Sequence, residues 1–307
     1  MARIFIDGSA GTTGLRIRER LAARADLELI TLPEELRKDT EARRDALNRA
    51  DVAFLCLPDA AAVEAVSLIE SPSVAVIDTS TAHRTAPGWV YGFPELTGKR
   101  EQIRASKRIA NPGCHASGFV ALVAPLREAG LLDADAPLSC FSITGYSGGG
   151  KKMIAEYEEE PDELLAAPRQ YGLTQQHKHL KEMGVICGLQ RAPIFCPIVA
   201  PFYSGMEVTV TLHADVLRGT TEQLRACYRE KYAANALVQY VESADEGGFL
   251  SACALSGRDD MQVTVAGNDE RILLVARFDN LGKGASGSAI QNMNILLGAD
   301  ETLGLNL

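Results

Sequence analysis

The chain has 307 residues, of which 46% are hydrophobic and 23% charged, and it carries a formal net charge of −9. That length suits two domains of ordinary size, and the balance is that of a folded chain rather than a disordered one. The negative field repels phosphate backbones and no apolar stretch approaches the ~20 residues of a membrane-spanning helix, so neither nucleic acid nor a membrane is expected as a partner. Without a signal-peptide pattern near the start, the expected location is cytoplasmic. The seven cysteines are widely spaced, with no C-x-x-C pair, which predicts free thiols in a reducing compartment and no metal site.

The first segment, "ARIFIDGSAGTTGLRIRERLAAR", places an apolar run before a break at glycines, then Leu15, Ile17 and Leu21 on a charged background. This order predicts strand, tight loop and helix. The apolar runs "LELITL", "DVAFLCLP" and "SVAVIDTS" follow, with helical segments between them. Strands buried on both faces and alternating with helices predict a Rossmann-type doubly wound parallel sheet over about residues 1–113. After the helix that begins near Cys114 the texture changes. "PLSCFSITGYSGGG", "APIFCPIVAPFYSGMEVTVTLHAD" and "RILLVARFDNL" hold alternating and β-branched runs without a helix between each, which predicts a second, α+β domain with a mainly antiparallel sheet. The last segment, "GASGSAIQNMNILLG", predicts a helix with Ile290, Met293, Ile295 and Leu296 available for burial.

In the first loop, Gly8, Gly11 and Gly14 stand three apart between strand and helix. Glycines there let backbone amides approach a pyrophosphate closely at the positive end of a helix. Gly8, Ser9, Ala10, Gly11, Thr12, Thr13 and Gly14 are therefore the expected dinucleotide contacts. An acid at the end of the second strand would hold a ribose hydroxyl and mark NAD. Here the strand ends in Thr31, Leu32 and Pro33, with Arg37 and Lys38 close behind Glu34 and Glu35, a pattern that favours the 2′-phosphate of NADP.

"NPGCHASGFVALVAPL" offers Asn111 as a helix cap, Pro112 for the first turn and Cys114 at or near the helix N-terminus. The dipole and the unpaired amides there favour a thiolate, which makes Cys114 a candidate nucleophile. Cys56, Cys140, Cys196 and Cys227 lie in apolar or helical stretches and read as structural. Pro125, inside the predicted helix, should kink or end it. A nucleophilic cysteine needs a proton-transfer partner, and two of the five histidines stand together in "GLTQQHKHLKEMG". With Thr174 as N-cap and Gly184 as stop, this segment predicts a short helix on which His177 and His179 point apart while His179 and Glu182 share a face. That arrangement favours His179 as acid/base with Glu182 orienting it; an extended segment would put both histidines on one side. His115 and His213 read as structural, and His83 is open.

A dinucleotide loop, an activated cysteine and a histidine pair are suited to reducing an acyl phosphate to an aldehyde. The motifs "GSAGTTG", "IDTSTAHR", "YGFPEL", "NPGCHASG", "GYSGGGKK", "HKHLKEM", "PFYSGM" and "DNLGKGASGSAIQNMN" appear in an order and spacing that resemble the short form of N-acetyl-γ-glutamyl-phosphate reductase, an arginine-biosynthesis family. The resemblance spans nearly the whole chain, departing from the longer relatives at "TTG" and at "IDTSTAHR". It implies the fold of the glyceraldehyde-3-phosphate and aspartate-semialdehyde dehydrogenases, with the C-terminal helix returned to the nucleotide domain. The implied division is an NADP-binding domain over 1–113 and 284–307 and a catalytic and oligomerisation domain over 114–283. It further implies that Cys114 is the nucleophile, that His177 and His179 are the histidine motif, and that Ser147, Gly148, Asn280 and Lys283 approach the cofactor. A homo-oligomer, dimer or tetramer, acting on a small acyl-phosphate substrate is the expected assembly.

That substrate carries a phosphate and a carboxylate, for which Arg84, Lys151, Lys152 and Arg169 are candidates. Three alternatives share parts of the pattern: a sibling acyl-phosphate dehydrogenase of the aspartate-semialdehyde type, a cysteine hydrolase in which "GSAGTTG" has no task, and a dinucleotide sensor without turnover.

Overall fold

The computed structural model describes residues 1–159 and 162–307. In chain order the first elements are β1 (Ala2–Asp7), α1 (Thr12–Ala22), β2 (Leu27–Ile30), α2 (Thr40–Arg49), β3 (Val52–Leu55), α3 (Asp59–Ser67), β4 (Ala75–Asp78), β5 (Val90–Tyr91), α4 (Lys99–Ala105) and β6 (Arg108–Ala110). They are followed by α5 (Cys114–Glu128), β7 (Ser139–Gly145), α6 (Gly150–Glu158), β8 (Arg169–Gln170), α7 (Lys178–Ile186), β9 (Ile194–Ala200) and β10 (Met206–His213). The last are α8 (Thr221–Tyr232), β11 (Val238–Tyr240), β12 (Met261–Gly267), β13 (Arg271–Phe278) and α9 (Gly287–Leu297). The chain divides into two compact units, one of Met1–Pro112 with Ala285–Leu305 and one of Gly113–Gly284 with Asn306–Leu307.

The first unit holds a six-stranded sheet of order β2-β1-β3-β4-β6-β5 in which every pair is parallel. Alternation along β1 sends Ile4 and Ile6 to one face and Phe5 to the other. On the first face they meet Ile17 and Leu21 of α1, Ile103 of α4 and Ala289, Ile290, Met293 and Ile295 of α9. On the second, Phe5 meets Ala46 and Leu47 of α2 and Ala62 and Ala65 of α3. Helices thus cover both faces, which is why the strands read as continuous apolar runs. Helix α9 belongs here because its apolar stripe completes the first of these cores, with Leu296 packed at its margin.

The second unit holds a seven-stranded sheet of order β11-β12-β13-β10-β7-β9-β8. Four pairings are antiparallel, but β7–β9 and β11–β12 are parallel. Each parallel pair is joined by a long connection, that of β7 and β9 containing α6, β8 and α7, as parallel pairing requires. Helix α5 is the centre of this unit and is buried without a break from His115 to Leu126. Large apolar side chains such as Phe119, Leu122 and Leu126 each contribute roughly 1.5–3 kcal/mol by leaving water, so the helix is held firmly. Contrary to the expectation from its sequence, Pro125 does not end α5, which runs on to Glu128. Proline removes the N–H that would bond the carbonyl of Ala121; the Tyr232 hydroxyl donates to that carbonyl instead, at 2.6 Å, and the Tyr228 hydroxyl donates to that of Leu122.

Candidate active site

In the first unit the glycine loop joins β1 to α1. Gly8 has φ +85°, and a Cβ there would lie 2.3 Å from the carbonyl oxygen of Cys56. At Gly14 a Cβ would lie 2.5 Å from the carbonyl oxygen of Gly8. Both positions accept only glycine, and Gly11, the N-cap of α1, closes the loop with its N–H on Gly8 O at 3.0 Å. Among the described residues no side-chain hydrogen bond caps α1, and no acid in its first turn offsets the positive end of the helix.

A cavity of ≈ 680 Å³ opens beside this loop, lined by Gly8, Ser9 and Ala10 and, farther along, by Thr31, Leu32, Arg18, Arg37 and Lys38. Gly11, Thr12, Thr13 and Gly14 shape the loop without lining that cavity. Arg43 also lines it, but its guanidinium is taken by a 3.0 Å buried ion pair with Asp7 and a 3.2 Å contact with Glu64. A loop that only glycine can form, beside a cavity with cationic side chains, fits a dinucleotide.

In the second unit Cys114 is the first residue of α5, capped by Gly113 rather than by Asn111. The Asn111 side chain is spent elsewhere, donating to Ala285 O at 3.0 Å and accepting from Asn292 at 3.2 Å. Glu182, buried at 2% exposure, accepts the N–H of Gly113 at 2.8 Å and so ties the start of α5 to α7. Helix α7 begins at Lys178, later than expected, and runs past Gly184. His177 is its N-cap, not a member of the helix, and its Nδ1 accepts the N–H of His179 at 3.2 Å. The premise that separated the two histidines therefore fails: their rings are 4.8 Å apart and both lie within 6 Å of the His115 ring. An acceptor at Nδ1 fixes the proton of neutral His177 on Nε2.

The turn after β13 packs against the same cysteine. Asp279, fully buried, accepts from the Ser204 hydroxyl at 2.8 Å and from the amides of Leu281 and Gly282 at 2.7 and 2.9 Å. This turn carries the backbone of Gly284 to where a Cβ would be 3.0 Å from that of Cys114. Asn280 accepts from the N–H of Gly205 at 2.9 Å and donates to Ser147 at 3.1 Å, with exposed Gly148 beside this buried pair, so three of the expected cofactor neighbours stand together. Lys283 is buried in the same turn.

The candidates for binding substrate charge do not converge. Arg84 directs Nε and Nη2 at the carbonyls of Asn111 and Thr79, Lys151 and Lys152 are exposed on α6, and Arg169 lies over the Tyr157 ring and donates to its hydroxyl. Among the other thiols, burial pushes Cys56 up to about 12 and raises Cys140 and Cys187 as well, which keeps them protonated and inert.

His115, read from the sequence as structural, and Tyr171, which the sequence did not single out, both stand in the cluster. His115 follows Cys114 directly, where helical geometry turns its side chain about 100° away, and Tyr171 belongs to no periodic pattern. Only the fold of β8 against β9 brings Tyr171 to the histidines.

Residues 33–106 match the family described as "Semialdehyde dehydrogenase, NAD binding domain", and residues 114–280 match "Semialdehyde dehydrogenase, dimerisation domain". Proteins named N-acetyl-gamma-glutamyl-phosphate reductase from Brucella suis and Brucella canis are 49% and 48% identical to this chain, in each case over 96% of it and 99% of the relative. The chain belongs to the N-acetyl-γ-glutamyl-phosphate reductase family. Membership places it among oxidoreductases rather than cysteine hydrolases. The fold is also that of aspartate semialdehyde dehydrogenase II from Vibrio cholerae, solved with ASA, at a TM-score of 0.73 and 17% identity over 97% of this chain and 98% of the other. The enzyme from Candida albicans, solved with NADP, gives a TM-score of 0.69 at 15% identity over 97% and 99%. Among the described residues no helix is long and apolar enough to cross a membrane, and no group of three or more His, Cys, Asp or Glu is placed to hold a metal ion.

Proposed function

We propose that the chain reduces N-acetyl-γ-glutamyl phosphate to N-acetylglutamate 5-semialdehyde and phosphate with NADPH, through a thioester on Cys114. The observation that carries this reading is the cysteine at the first position of a buried helix with two histidines of α7 beside it, in a chain of this reductase family. The glycine loop would hold the pyrophosphate, and Arg18, Arg37 and Lys38 would hold the 2′-phosphate. Ser147, Gly148, Asn280 and Lys283 are assigned to the surface that meets the nicotinamide end.

The Cys114 thiolate attacks the γ-acyl carbon, forming the C–S bond as the C–O bond to phosphate breaks and phosphate leaves with the electron pair. When bound, NADPH supplies the hydride that reduces the thioester carbon. Negative charge then gathers on the former carbonyl oxygen, where the positive end of α5 stabilises it. The neutral tautomer of His177 carries its proton on Nε2 and donates it to this oxyanion as a hydrogen bond without giving it up, and His179 flanks it. Collapse returns the thiolate and frees the aldehyde. Glu182 holds the start of α5 through Gly113 rather than acting on the substrate. The assembly we assign is a homo-oligomer in the cytoplasm, supported by the match of residues 114–280 to a dimerisation domain.

The reverse reaction tests the whole reading. Purified protein is mixed with N-acetylglutamate 5-semialdehyde, phosphate and NADP, and the absorbance of the reduced nicotinamide is followed. Phosphate-dependent reduction that favours NADP over NAD is the expected result. No signal from folded protein with either nucleotide would overturn it, and activity with aspartate semialdehyde instead would favour the sibling enzyme.

A further inference from the structure

The turn after β13 is built around a carboxylate that the mechanism does not use. Asp279 is fully buried, and its two oxygens divide their work. Oδ1 accepts the N–H of Leu281 at 2.7 Å and that of Gly282 at 2.9 Å, while Oδ2 accepts the Ser204 hydroxyl at 2.8 Å and the N–H of Gly257 at 2.5 Å. The carbonyl oxygen of the same residue accepts the N–H groups of Gly282 and Gly284 at 3.1 and 3.0 Å. The bonds on Oδ1 and on the carbonyl close the segment 279–284 upon itself, and those on Oδ2 moor it to the loops at Ser204 and Gly257. A carboxylate buried at this depth is costly unless donors fill its lone pairs, and here four do. The chain then continues as a π-helical turn, Gly282–Ser286, a rare conformation that recurs at functional sites.

What the turn positions is visible at Gly284. A Cβ added there would lie 3.0 Å from that of Cys114, 3.2 Å from the carbonyl oxygen of Asp279 and 3.2 Å from the Phe278 ring. Gly284 is not among the glycines with positive φ, so space rather than backbone conformation calls for glycine at this position. Cys114 is the first residue of α5, where no earlier helical turn stands against its side chain. An unbacked thiol there would be free to sample several staggered χ1 positions, which the backbone of Gly284 restricts by closing the space at Cβ. Glu182, which takes the N–H of Gly113, fixes the start of the helix but not the direction of the sulfur.

We propose that Asp279 and Gly284 are positioning residues for the nucleophile: Asp279 locks the turn, and the bare backbone of Gly284 lies against Cys114 so that the sulfur is held in one attacking position. The consequence for turnover rests on the reductase reading; the consequence for the reactivity of the sulfur does not.

The test is the rate of Cys114 alkylation by iodoacetamide in the full chain, read by mass on the peptide that contains Cys114. It is taken on the high-pH plateau, where the thiol is ionised and the rate reports access to the sulfur. Gly284→Ala puts a methyl against the base of the side chain and should slow alkylation roughly threefold to tenfold. Asp279→Ala frees the turn and should speed it by a similar factor. Asp279→Asn, which keeps an acceptor for the amides of Leu281 and Gly282, should bring the rate back toward that of wild type. In the reverse reaction kcat should fall roughly 10²-fold in Gly284→Ala and in Asp279→Ala while KM for NADP changes little. A merely structural role predicts a different pattern, because loosening the fold exposes the thiol and both variants would then alkylate faster. Gly284→Ala alkylating as fast as wild type, or faster, overturns the proposal, as does Asp279→Asn behaving like Asp279→Ala. Should Asp279→Ala not fold, Gly284→Ala decides the question by itself. If alkylation moves as stated while wild type shows no phosphate-dependent turnover, the positioning role stands and the reductase reading falls.

Discussion

Two helix N-termini serve two different tasks in this protein. At α1 the loop keeps only small side chains, with Gly8 and Gly14 pressed against backbone and no acid in the first turn. At α5 the chain supplies its own occupants: Cys114 stands in the first turn and the Glu182 carboxylate takes the N–H of Gly113. The same partial positive charge faces a glycine loop, our proposed phosphate cradle, in one unit and a built-in sulfur in the other. Side chains decide the difference, since the backbone electrostatics are alike.

The largest expected effect separates the two ends outright. Cys114→Ala should lower kcat by on the order of 10⁴-fold or more while NADPH still binds, which fluorescence quenching of the bound nucleotide would report. Loss of both together would mean that the two helix ends are not independent. Next, His177→Ala and His179→Ala should each reduce kcat, with His177→Ala the more severe at ~10²- to 10³-fold. A larger loss at His179 would return the leading role to the residue that helical periodicity favoured. At α1, the double variant Arg37→Ala, Lys38→Ala should raise KM for NADP ~10- to 100-fold and leave that for NAD nearly unchanged, measured in the reverse reaction. An equal change for both nucleotides would remove these side chains from the 2′-phosphate site.

The smallest effect concerns stability. His115 has its folded pKa depressed to about 3 against an ordinary 6.5, so below pH 6.5 the unfolded chain takes up a proton that the folded chain refuses. That contribution is fully retained above pH 6.5 and lost as the pH falls toward 3. Between pH 7.5 and 5.5 the wild type should lose about 1 kcal/mol more unfolding free energy than His115→Gln, as measured by urea titration. Parallel losses in the two proteins would show that His115 is not held neutral.

The first unit was more legible in the sequence than the second for a physical reason. A parallel sheet covered on both faces needs continuous apolar strands and regularly spaced helices, and a phosphate loop needs glycine where a Cβ would strike backbone; both demands act on neighbours in the chain. The burial of Ile290, Met293 and Ile295 was readable in the same way, from helical spacing. In the second unit the decisive contacts are distant. Asn111 had the right chemistry for a cap, yet its side chain is drawn to Ala285 and Asn292, and Gly113 caps α5. His177 and His179 were separated by assuming one helix, but α7 starts after His177 because that ring itself supplies the cap. The parallel pairing of β7 with β9 leaves no mark on either strand's own pattern.

By itself the sequence determined the order of the elements, the cradle at Gly8–Gly14, the cysteine at a helix start and the motifs that identify the family, because each depends on residues within a turn or two of one another. The tertiary structure alone decided which cap holds Cys114, that Glu182 serves the backbone of Gly113, that Tyr232 replaces the hydrogen bond Pro125 cannot make, and that Ser142, His115 and Tyr171 meet. Those are satisfactions of buried polar groups, and a buried donor or acceptor takes whichever partner the packing brings within about 3 Å, however far away it lies in the chain.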